Sequence, residues 1–194
     1  IPFAIILLKK ISDVTVKTRS DFEDISVPFL AEIPLSAKKN ILGIVRKKTK
    51  FNNGNRRIIV EPGHRDMMNE AFRVLRTNFD MMIEKEASKA FVAMFTSFNP
   101  NAGKTFIIQN LAAGMALKNS RVLVMDLDLR KATLSKSLGL EHTGVAAYLN
   151  GKVSDYHPYV DEIAPNLFLL PIGTLPPKPT ELPLTDSFSQ LADE

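Results

Sequence analysis

A short segment, Gly103–Thr105, lies between an apolar run and a helical pattern and constrains the fold more than any other part of the chain. The apolar run, residues 90–96, predicts a strand buried on both faces, and Phe106–Lys118 repeats apolar side chains at helical spacing. A loop of this kind at a helix N-terminus offers backbone N–H groups, an ammonium and a hydroxyl. The sequence therefore predicts a phosphate-binding loop, with Lys104 on the phosphates and Thr105 on Mg²⁺.

Two carboxylates follow a second apolar segment, about one helix further along the chain. Arg121–Met125 predicts another buried strand, and Asp126 and Asp128 come directly after it. Ligands collect at the carboxyl ends of parallel strands, where such side chains meet a loop like the first one. We therefore expect an α/β fold of the P-loop NTPase type, with a mostly parallel sheet and flanking helices. Asp126 and Asp128 join Thr105 as candidate Mg²⁺ ligands.

The loop departs from the usual phosphate-loop pattern at its start. A glycine is expected six residues before the lysine, and Phe98 stands there. A lone Gly-Lys-Thr is a weak signal, because a helix that starts with a solvated lysine has the same letters. The combination of strand, loop, helix and Asp-x-Asp strand carries the prediction of a nucleotide site.

Charge is unevenly distributed along the chain. Residues 1–65 hold thirteen Lys and Arg against six Asp and Glu, whereas residues 66–194 hold twelve against fifteen. A basic segment suits nucleic acid or an anionic membrane. No aromatic residues interleave with the basic ones as a base-stacking platform requires, so no nucleic-acid partner is expected. The chain has no cysteine, which excludes disulfides and thiolate metal sites.

The first ten residues are expected to be the end of a transmembrane helix. Residues 1–8 are wholly apolar and Lys9 and Lys10 follow, as on the cytoplasmic side of a span. A span needs about 20 apolar residues, so the sequence predicts a fragment cut inside such a helix. A buried strand is the alternative that these residues leave open.

Residues 11–65 are expected to form a basic juxtamembrane linker, and residues 66–194 the nucleotide domain. Within the linker, Ser20–Asp24 predicts a capped turn of helix, Phe29–Pro34 a brief strand, and Ser36–Gly63 a flexible connector. The domain is expected to open with a helix over Met67–Lys85. One face of that helix is apolar, with Met68, Phe72, Leu75, Phe79 and Met82.

The opposite face of this helix carries Glu70, Arg73 and Arg76 at intervals of three residues. Such spacing gives local Glu–Arg pairing and is usually a solvated face. It can also present two guanidinium groups to an acidic neighbouring subunit. Both interpretations stay open on the residues alone.

Four segments in order resemble the bacterial tyrosine kinases of capsular and exopolysaccharide biosynthesis, the Wzc-type BY-kinases. They are Glu70–Arg76, Ser97–Thr105, Val122–Arg130 and Gly173–Leu182. The resemblance covers nearly the whole chain and implies an ATP- and Mg²⁺-dependent tyrosine (auto)kinase with Walker A and Walker A′ motifs. It implies catalytic roles for Lys104, Asp126 and Asp128, and nucleotide contacts from Asn101, Ala102, Gly103, Lys104, Thr105, Phe106 and Arg130.

The resemblance also implies partners and a location. Glu70, Arg73 and Arg76 would lie between subunits of a homo-oligomeric ring at the inner membrane, with the nucleotide domain on the cytoplasmic side. A tyrosine phosphatase and the polysaccharide export machinery are the further partners expected. The Walker B strand and the tyrosine-rich tail of the family are expected beyond Glu194. Tyr148, Tyr156 and Tyr159 are then packing or surface residues.

Two alternatives belong to other functional classes. The first is a ParA/MinD-like positioning ATPase, but that class carries a signature lysine five residues before the P-loop lysine, where this chain has Asn99. The second is a membrane-anchored chain-length regulator that binds nucleotide without catalysis. The basic linker and the Glu-x-x-Arg-x-x-Arg helix favour the kinase over both.

Overall fold

The computed structural model describes residues 26–34, 58–83, 90–175 and 190–191. The predicted end of a transmembrane helix, the turn of helix at Ser20–Asp24 and most of the basic linker lie outside these ranges. Among the described residues, no helix has the length and apolar content that a membrane crossing requires.

The described residues form a small α/β domain around a three-stranded sheet. In the sheet, β3 (Leu167–Leu170) lies between β1 (Val122–Met125), to which it is parallel, and β2 (Asp161–Ala164), to which it is antiparallel. The α/β class is confirmed, and the antiparallel edge strand is a feature that the sequence did not predict. The elements are α1 Met67–Met82, α2 Lys104–Ala116, β1 Val122–Met125, α3 Thr133–Leu138, α4 Val145–Leu149, a 3₁₀ turn His157–Tyr159, β2 Asp161–Ala164 and β3 Leu167–Leu170.

Helix α1 begins at a capping carboxylate. Asp66 accepts hydrogen bonds from the backbone N–H groups of Met68 and Asn69, at 3.0 and 2.9 Å. Phe72 and the other central residues of the predicted apolar face are buried or partly buried, which confirms the helical periodicity. Met82 is half exposed, so the prediction that it is buried is wrong. The helix ends at this residue, and its last turn no longer packs against the core.

Helix α2 lies in the interior, between α1 and the sheet. Leu111 packs with residues of α1, while three alanines of α2 pack with Val124 and Leu169 of the sheet. Small side chains allow the helix to approach both neighbours closely. Contact on both sides explains why most of its residues from Gln109 to Ala116 are buried.

The domain begins upstream of the boundary expected near Asp66. Ile58 is 6% exposed and belongs to the same core as α2 and the sheet. The buried amide of Asn110 accepts hydrogen bonds from the N–H groups of Ile59 at 2.7 Å and Val60 at 3.2 Å. Residues 58–60 are therefore part of the packed domain, which corrects their assignment to a flexible connector.

The apolar run at residues 90–96 is not a strand in the structure. It has no ladder partner among the described residues, and Val92 and Met94 are 64% and 79% exposed. Phe91 and Phe95 instead contact the ring of Phe79 on α1, with centroids 5.9 Å apart in both pairs. The prediction of a strand buried on both faces is wrong because hydrophobicity does not specify a hydrogen-bonding neighbour.

The stretch Phe29–Pro34 also forms no strand, although it lies against the domain. Leu30 and Ile33 are partly buried beside α1, and Asn78 of that helix donates a hydrogen bond to the carbonyl of Leu30. This bond satisfies the Leu30 carbonyl without a sheet partner.

The chain after β3 runs against the start of α4. The N–H groups of Val145 and Ala146 donate to the carbonyls of Pro171 and Ile172, both at 2.9 Å. Gly144 precedes the helix at so close an approach that a Cβ there would lie 2.0 Å from the Pro171 oxygen. Only glycine fits this contact, which holds the carboxyl end of β3 in place.

Candidate active site

The phosphate-binding loop predicted from the sequence is a series of turns and bends that ends at an uncapped helix. Asn101 and Gly103 have positive φ angles, 62° and 91°. Gly103 is the N-cap of α2, and no side chain caps that end. The N–H groups of the first turn, from Lys104 to Phe106, therefore remain available, and this end of the helix favours an anion.

Lys104 and Thr105 occupy the first turn of α2 and are both partly buried. No carboxylate of the described residues pairs with the Lys104 ammonium at ion-pair distance. Since the Lys104 ammonium has no acidic partner among the described residues and lies beside unpaired N–H groups, its charge is available to an anionic ligand. This arrangement agrees with the predicted phosphate contacts of Lys104.

Phe106 is turned to the core. Its ring meets that of Phe72 on α1 edge to face, with centroids 5.6 Å apart and planes at 71°. The backbone N–H of Phe106 is therefore the group that a nucleotide could contact, because the side chain packs α2 against α1.

Asp126 follows β1 directly and is almost completely buried, at 4% exposure. Its N–H donates to the carbonyl of Leu170 at 3.0 Å, which continues the parallel pairing of β1 with β3. Its carboxylate accepts from the N–H of Ser135 at 2.9 Å, from the Ser135 hydroxyl at 2.6 Å, and from the N–H of Asp128 at 3.1 Å. The side chain therefore has one fixed orientation.

Ser135 is a residue that sequence reasoning missed. It is 1% exposed in α3, and its Oγ also accepts a hydrogen bond from the N–H of Ile172 at 3.0 Å. A serine among the mixed residues of a short helix gives no sequence signal of this kind. Only the packing of α3 against the ends of β1 and β3 reveals it.

Asp128 is more accessible than Asp126 and organises the turn that follows. It accepts from the N–H of Lys131 at 3.0 Å and from the hydroxyl of Thr133 at 3.1 Å. Partial burial raises the pKa of Asp128, but these donors lower it by more, so the net pKa lies below its usual value. The carboxylate is therefore ionised at neutral pH. Arg130 lies in the same turn with an exposed side chain.

The two predicted motifs lie at the same edge of the sheet. Residues 117–121 connect the end of α2 to the start of β1, and the helix packs on the strand. Because a helix joined to a strand by so short a connection runs back along it, the N-terminus of α2 and the carboxyl end of β1 share one side. Thr105, Asp126 and Asp128 are thereby brought to one edge.

These side chains fit a magnesium nucleotide. Hydroxyl and carboxylate oxygens are the ligands that Mg²⁺ prefers, and Mg²⁺ is usually held by one or two carboxylates together with phosphates and water. The described residues contain no group of three or more His, Cys, Asp or Glu side chains placed to hold a metal ion. The donor set suits a metal that arrives with its nucleotide.

The predicted assembly residues separate into two groups. Glu70 and Arg73 form an exposed ion pair, with Arg73 Nε 3.0 Å from Glu70 Oε2. Arg76 is partly buried and donates from Nη1 to the carbonyl of Gly114 in α2 at 3.2 Å. Glu70 and Arg73 therefore form an ion pair on the surface, whereas Arg76 makes a contact within the chain.

Comparisons with known proteins give relatives of one kind, although no family model matches the chain. It is 29% identical to the tyrosine-protein kinase Wzc of Salmonella typhimurium in an alignment 194 positions long that covers 96% of this chain and 26% of that protein. It is 30% identical to the tyrosine-protein kinase Etk of Escherichia coli K12 over 188 residues, 92% of this chain and 25% of that protein. The chain therefore spans about a quarter of the length of these curated relatives.

Among solved structures, the kinase domain of the Escherichia coli tyrosine kinase ETK superimposes with a TM-score of 0.72 at 28% identity. The match covers 92% of this chain and 68% of that one. The likeness therefore extends over nearly all of the present sequence.

Proposed function

Because the chain is a homologue of the bacterial tyrosine kinases Wzc and Etk, we propose that it binds Mg²⁺-ATP and transfers the γ-phosphoryl group to tyrosine hydroxyls. The observation that carries the proposal is the uncapped start of α2, with Lys104 and Thr105, at the sheet edge where Asp126 and Asp128 follow β1. The names of the relatives supply the acceptor, which the geometry alone leaves open.

The residues of the loop would bind the nucleotide. The N–H groups from Asn101 to Phe106 would hold the phosphates, and the Lys104 ammonium would neutralise charge on the β- and γ-phosphates. Thr105 with Asp126 and Asp128 would hold Mg²⁺, directly or through water. When bound there, Mg²⁺ would supply positive charge close to the phosphates. Arg130, exposed beside Asp128, would add a further cation near the phosphates.

A carboxylate at this site would position the tyrosine hydroxyl more than deprotonate it. Asp128 has a lowered pKa, whereas a tyrosine hydroxyl has a pKa of about 10. So large a gap makes an early proton transfer unfavourable. The ionised carboxylate would accept the hydroxyl hydrogen bond and align the oxygen with the γ-phosphorus. Phosphoryl transfer depends mainly on such positioning and on charge neutralisation.

The acceptor tyrosines would come from outside the core of this domain. The chain has three tyrosines, of which Tyr148 and Tyr156 are 7% and 5% exposed and meet edge to face at 5.4 Å. Tyr159 is partly buried against the same cluster. The expectation that these residues serve packing is confirmed for the first two, and it leaves a segment elsewhere in the protein as the substrate.

In the cell, the protein would act at the inner membrane in the synthesis and export of capsular or exopolysaccharide. This follows from the relatives, one of which is named a putative tyrosine-protein kinase in the cps region. A homo-oligomer through the face of α1, a tyrosine phosphatase and the export machinery belong to the same proposal. The exposed Glu70–Arg73 pair supports the assembly surface.

The test is the appearance of phosphotyrosine on the full-length protein incubated with Mg²⁺-ATP. Lys104→Met is expected to abolish the signal, because it removes the ammonium and leaves the helix intact. Lys118→Met is the matched control, since Lys118 is exposed beyond the other end of α2. ATP hydrolysis without phosphotyrosine would support the positioning ATPase instead, and nucleotide binding with neither product would support the non-catalytic regulator.

A further inference from the structure

A buried hydrogen-bond network joins three elements behind the candidate site. Ser135 of α3 contacts Asp126 after β1 through both its N–H and its hydroxyl, and it contacts Ile172 after β3 through the same hydroxyl. Ser135 and Ile172 are each 1% exposed, so water does not substitute for these bonds. The network connects the candidate metal-binding carboxylate to the frame of the sheet.

The direction of the hydroxyl proton is determined by its neighbours. The N–H of Ile172 donates to Ser135 Oγ, so that contact uses a lone pair of the oxygen. The single hydroxyl proton is then available for Asp126 Oδ2, at 2.6 Å. Since Asp126 Oδ2 has no proton to give when ionised, Ser135 is the donor and the carboxylate the acceptor.

This network leaves the two oxygens of Asp126 unequal. Each carboxylate oxygen offers about two acceptor sites. Oδ2 receives two donors, both from Ser135, whereas Oδ1 receives one, from the N–H of Asp128. Among the described residues, the unused acceptor site of this carboxylate is therefore on Oδ1.

We propose that Ser135 is a positioning residue, which fixes the Asp126 carboxylate so that Oδ1 is the oxygen offered to the magnesium nucleotide. The inference rests on the proposed function of this site. Without the hydroxyl, Oδ2 keeps only the N–H of Ser135 as a donor, and the carboxylate is held less firmly against rotation about its Cβ–Cγ bond. Side chains that orient a metal ligand in this way change metal affinity by about 10- to 100-fold when they are replaced.

The test measures magnesium dependence apart from activity. A fluorescent ADP analogue is titrated onto the full-length protein at a series of Mg²⁺ concentrations and also without metal. Ser135→Ala is expected to raise the Mg²⁺ concentration for half-maximal binding by about tenfold or more. Metal-free affinity, which depends on the loop and Lys104, is expected to stay within about twofold.

Two further variants keep the inference falsifiable. Ser137→Ala is the matched control, since Ser137 lies in the same helix and its hydroxyl donates to the carbonyl of Leu134; its magnesium midpoint should equal that of the wild type. Ser135→Cys keeps the shape of the side chain and replaces the hydroxyl by a weak donor, so this variant is measured if the alanine variant does not fold.

The outcomes separate the two proposals. An unchanged magnesium midpoint in Ser135→Ala, or in Ser135→Cys if only that variant folds, overturns the inference and leaves the proposed function standing. Equal losses with and without metal mean that Ser135 only supports the fold, and this too overturns it. A wild-type protein that binds no nucleotide overturns the proposed function and the inference together.

Discussion

The guanidinium of Arg76 donates a hydrogen bond to the backbone carbonyl of Gly114 at 3.2 Å, and so connects α1 to the last turn of α2. The Arg76 Cδ lies 3.8 Å from the position that a Cβ on Gly114 would occupy, so the stem of the side chain also lies against the helix. Glu70 and Arg73, on the same helix, are exposed. The charged face of α1 therefore combines a contact within the chain with a pair that faces outward.

Arg76→Ala and Arg73→Ala are expected to have different effects. Loss of the Arg76 contact should destabilise the domain by about 1 to 2 kcal/mol, since a charged donor to a partly buried carbonyl is removed. Arg73→Ala should leave the urea midpoint unchanged and shift the oligomer toward smaller species. Urea denaturation and light scattering on both variants measure these effects. If Arg76→Ala gave a smaller oligomer with unchanged stability, Arg76 would be an assembly residue and not a stabilising contact within the chain.

Asn110→Ala is expected to destabilise the domain strongly. The Asn110 amide is 0% exposed and accepts from the N–H groups of Ile59 and Val60, so its removal leaves two partly buried donors without that acceptor and empties a buried site. The expected loss is about 2 to 4 kcal/mol in chemical denaturation. Asn150→Ala is the control. The Asn110 amide donates to the carbonyl of Phe106, four residues earlier, and the Asn150 amide donates to that of Ala146 in the same way, but Asn150 is exposed. Similar losses in both variants would contradict the role of burial.

Gly144→Ala is expected to prevent the native contact between the start of α4 and the end of β3. The added Cβ would overlap the Pro171 oxygen, and both partners are backbone that cannot rotate away. A loss above about 4 kcal/mol is expected, with little folded protein in thermal unfolding. Gly63→Ala has φ +77° but open space around the new Cβ, so it should cost only about 1 kcal/mol. A mild effect at Gly144 would show that the backbone can separate there.

Stability is expected to fall as pH rises through the titration of His142. Burial lowers the pKa of His142, but the carbonyl of Thr143 and the carboxylate of Asp161 raise it by more, so the net pKa is raised. A histidine whose pKa is raised by folding stabilises the folded state. The stabilisation is complete below the unfolded-state pKa, near 6.5, and is lost as the pH rises through the folded-state pKa. Unfolding measured across this range should show the fall in wild type, and Asp161→Asn should reduce it. An unchanged pH profile in Asp161→Asn would refute the pairing.

The features that follow from local chemistry could be predicted from the sequence. Gly103 and Lys104 at the start of a helix, and Asp126 after a strand, are determined by spacing, and Phe72 was predicted to be buried by helical periodicity. The structure agrees on each because tertiary packing does not alter those relations. The α/β class followed from the same pattern.

The features that depend on a distant partner could not be predicted in this way. The run at residues 90–96 has the hydrophobicity of a strand without a described neighbour to pair with. Ile58 and Val60 enter the core because Asn110, a polar residue in an alanine-rich helix, accepts the N–H groups of the segment that contains them. Ser135 acts on Asp126 from nine residues further along the chain. Hydropathy and propensity contain no term for such pairings.

The burial of Tyr148 and Tyr156 limits which tyrosines the proposed reaction can modify. A kinase needs a tyrosine that can extend its hydroxyl into another molecule's cleft, and these two rings are held against each other in the interior. One folded copy of this domain therefore presents neither ring to the next copy as a phosphate acceptor. Phosphate would accumulate on other tyrosines, and these two rings would remain unmodified while the domain turns over again.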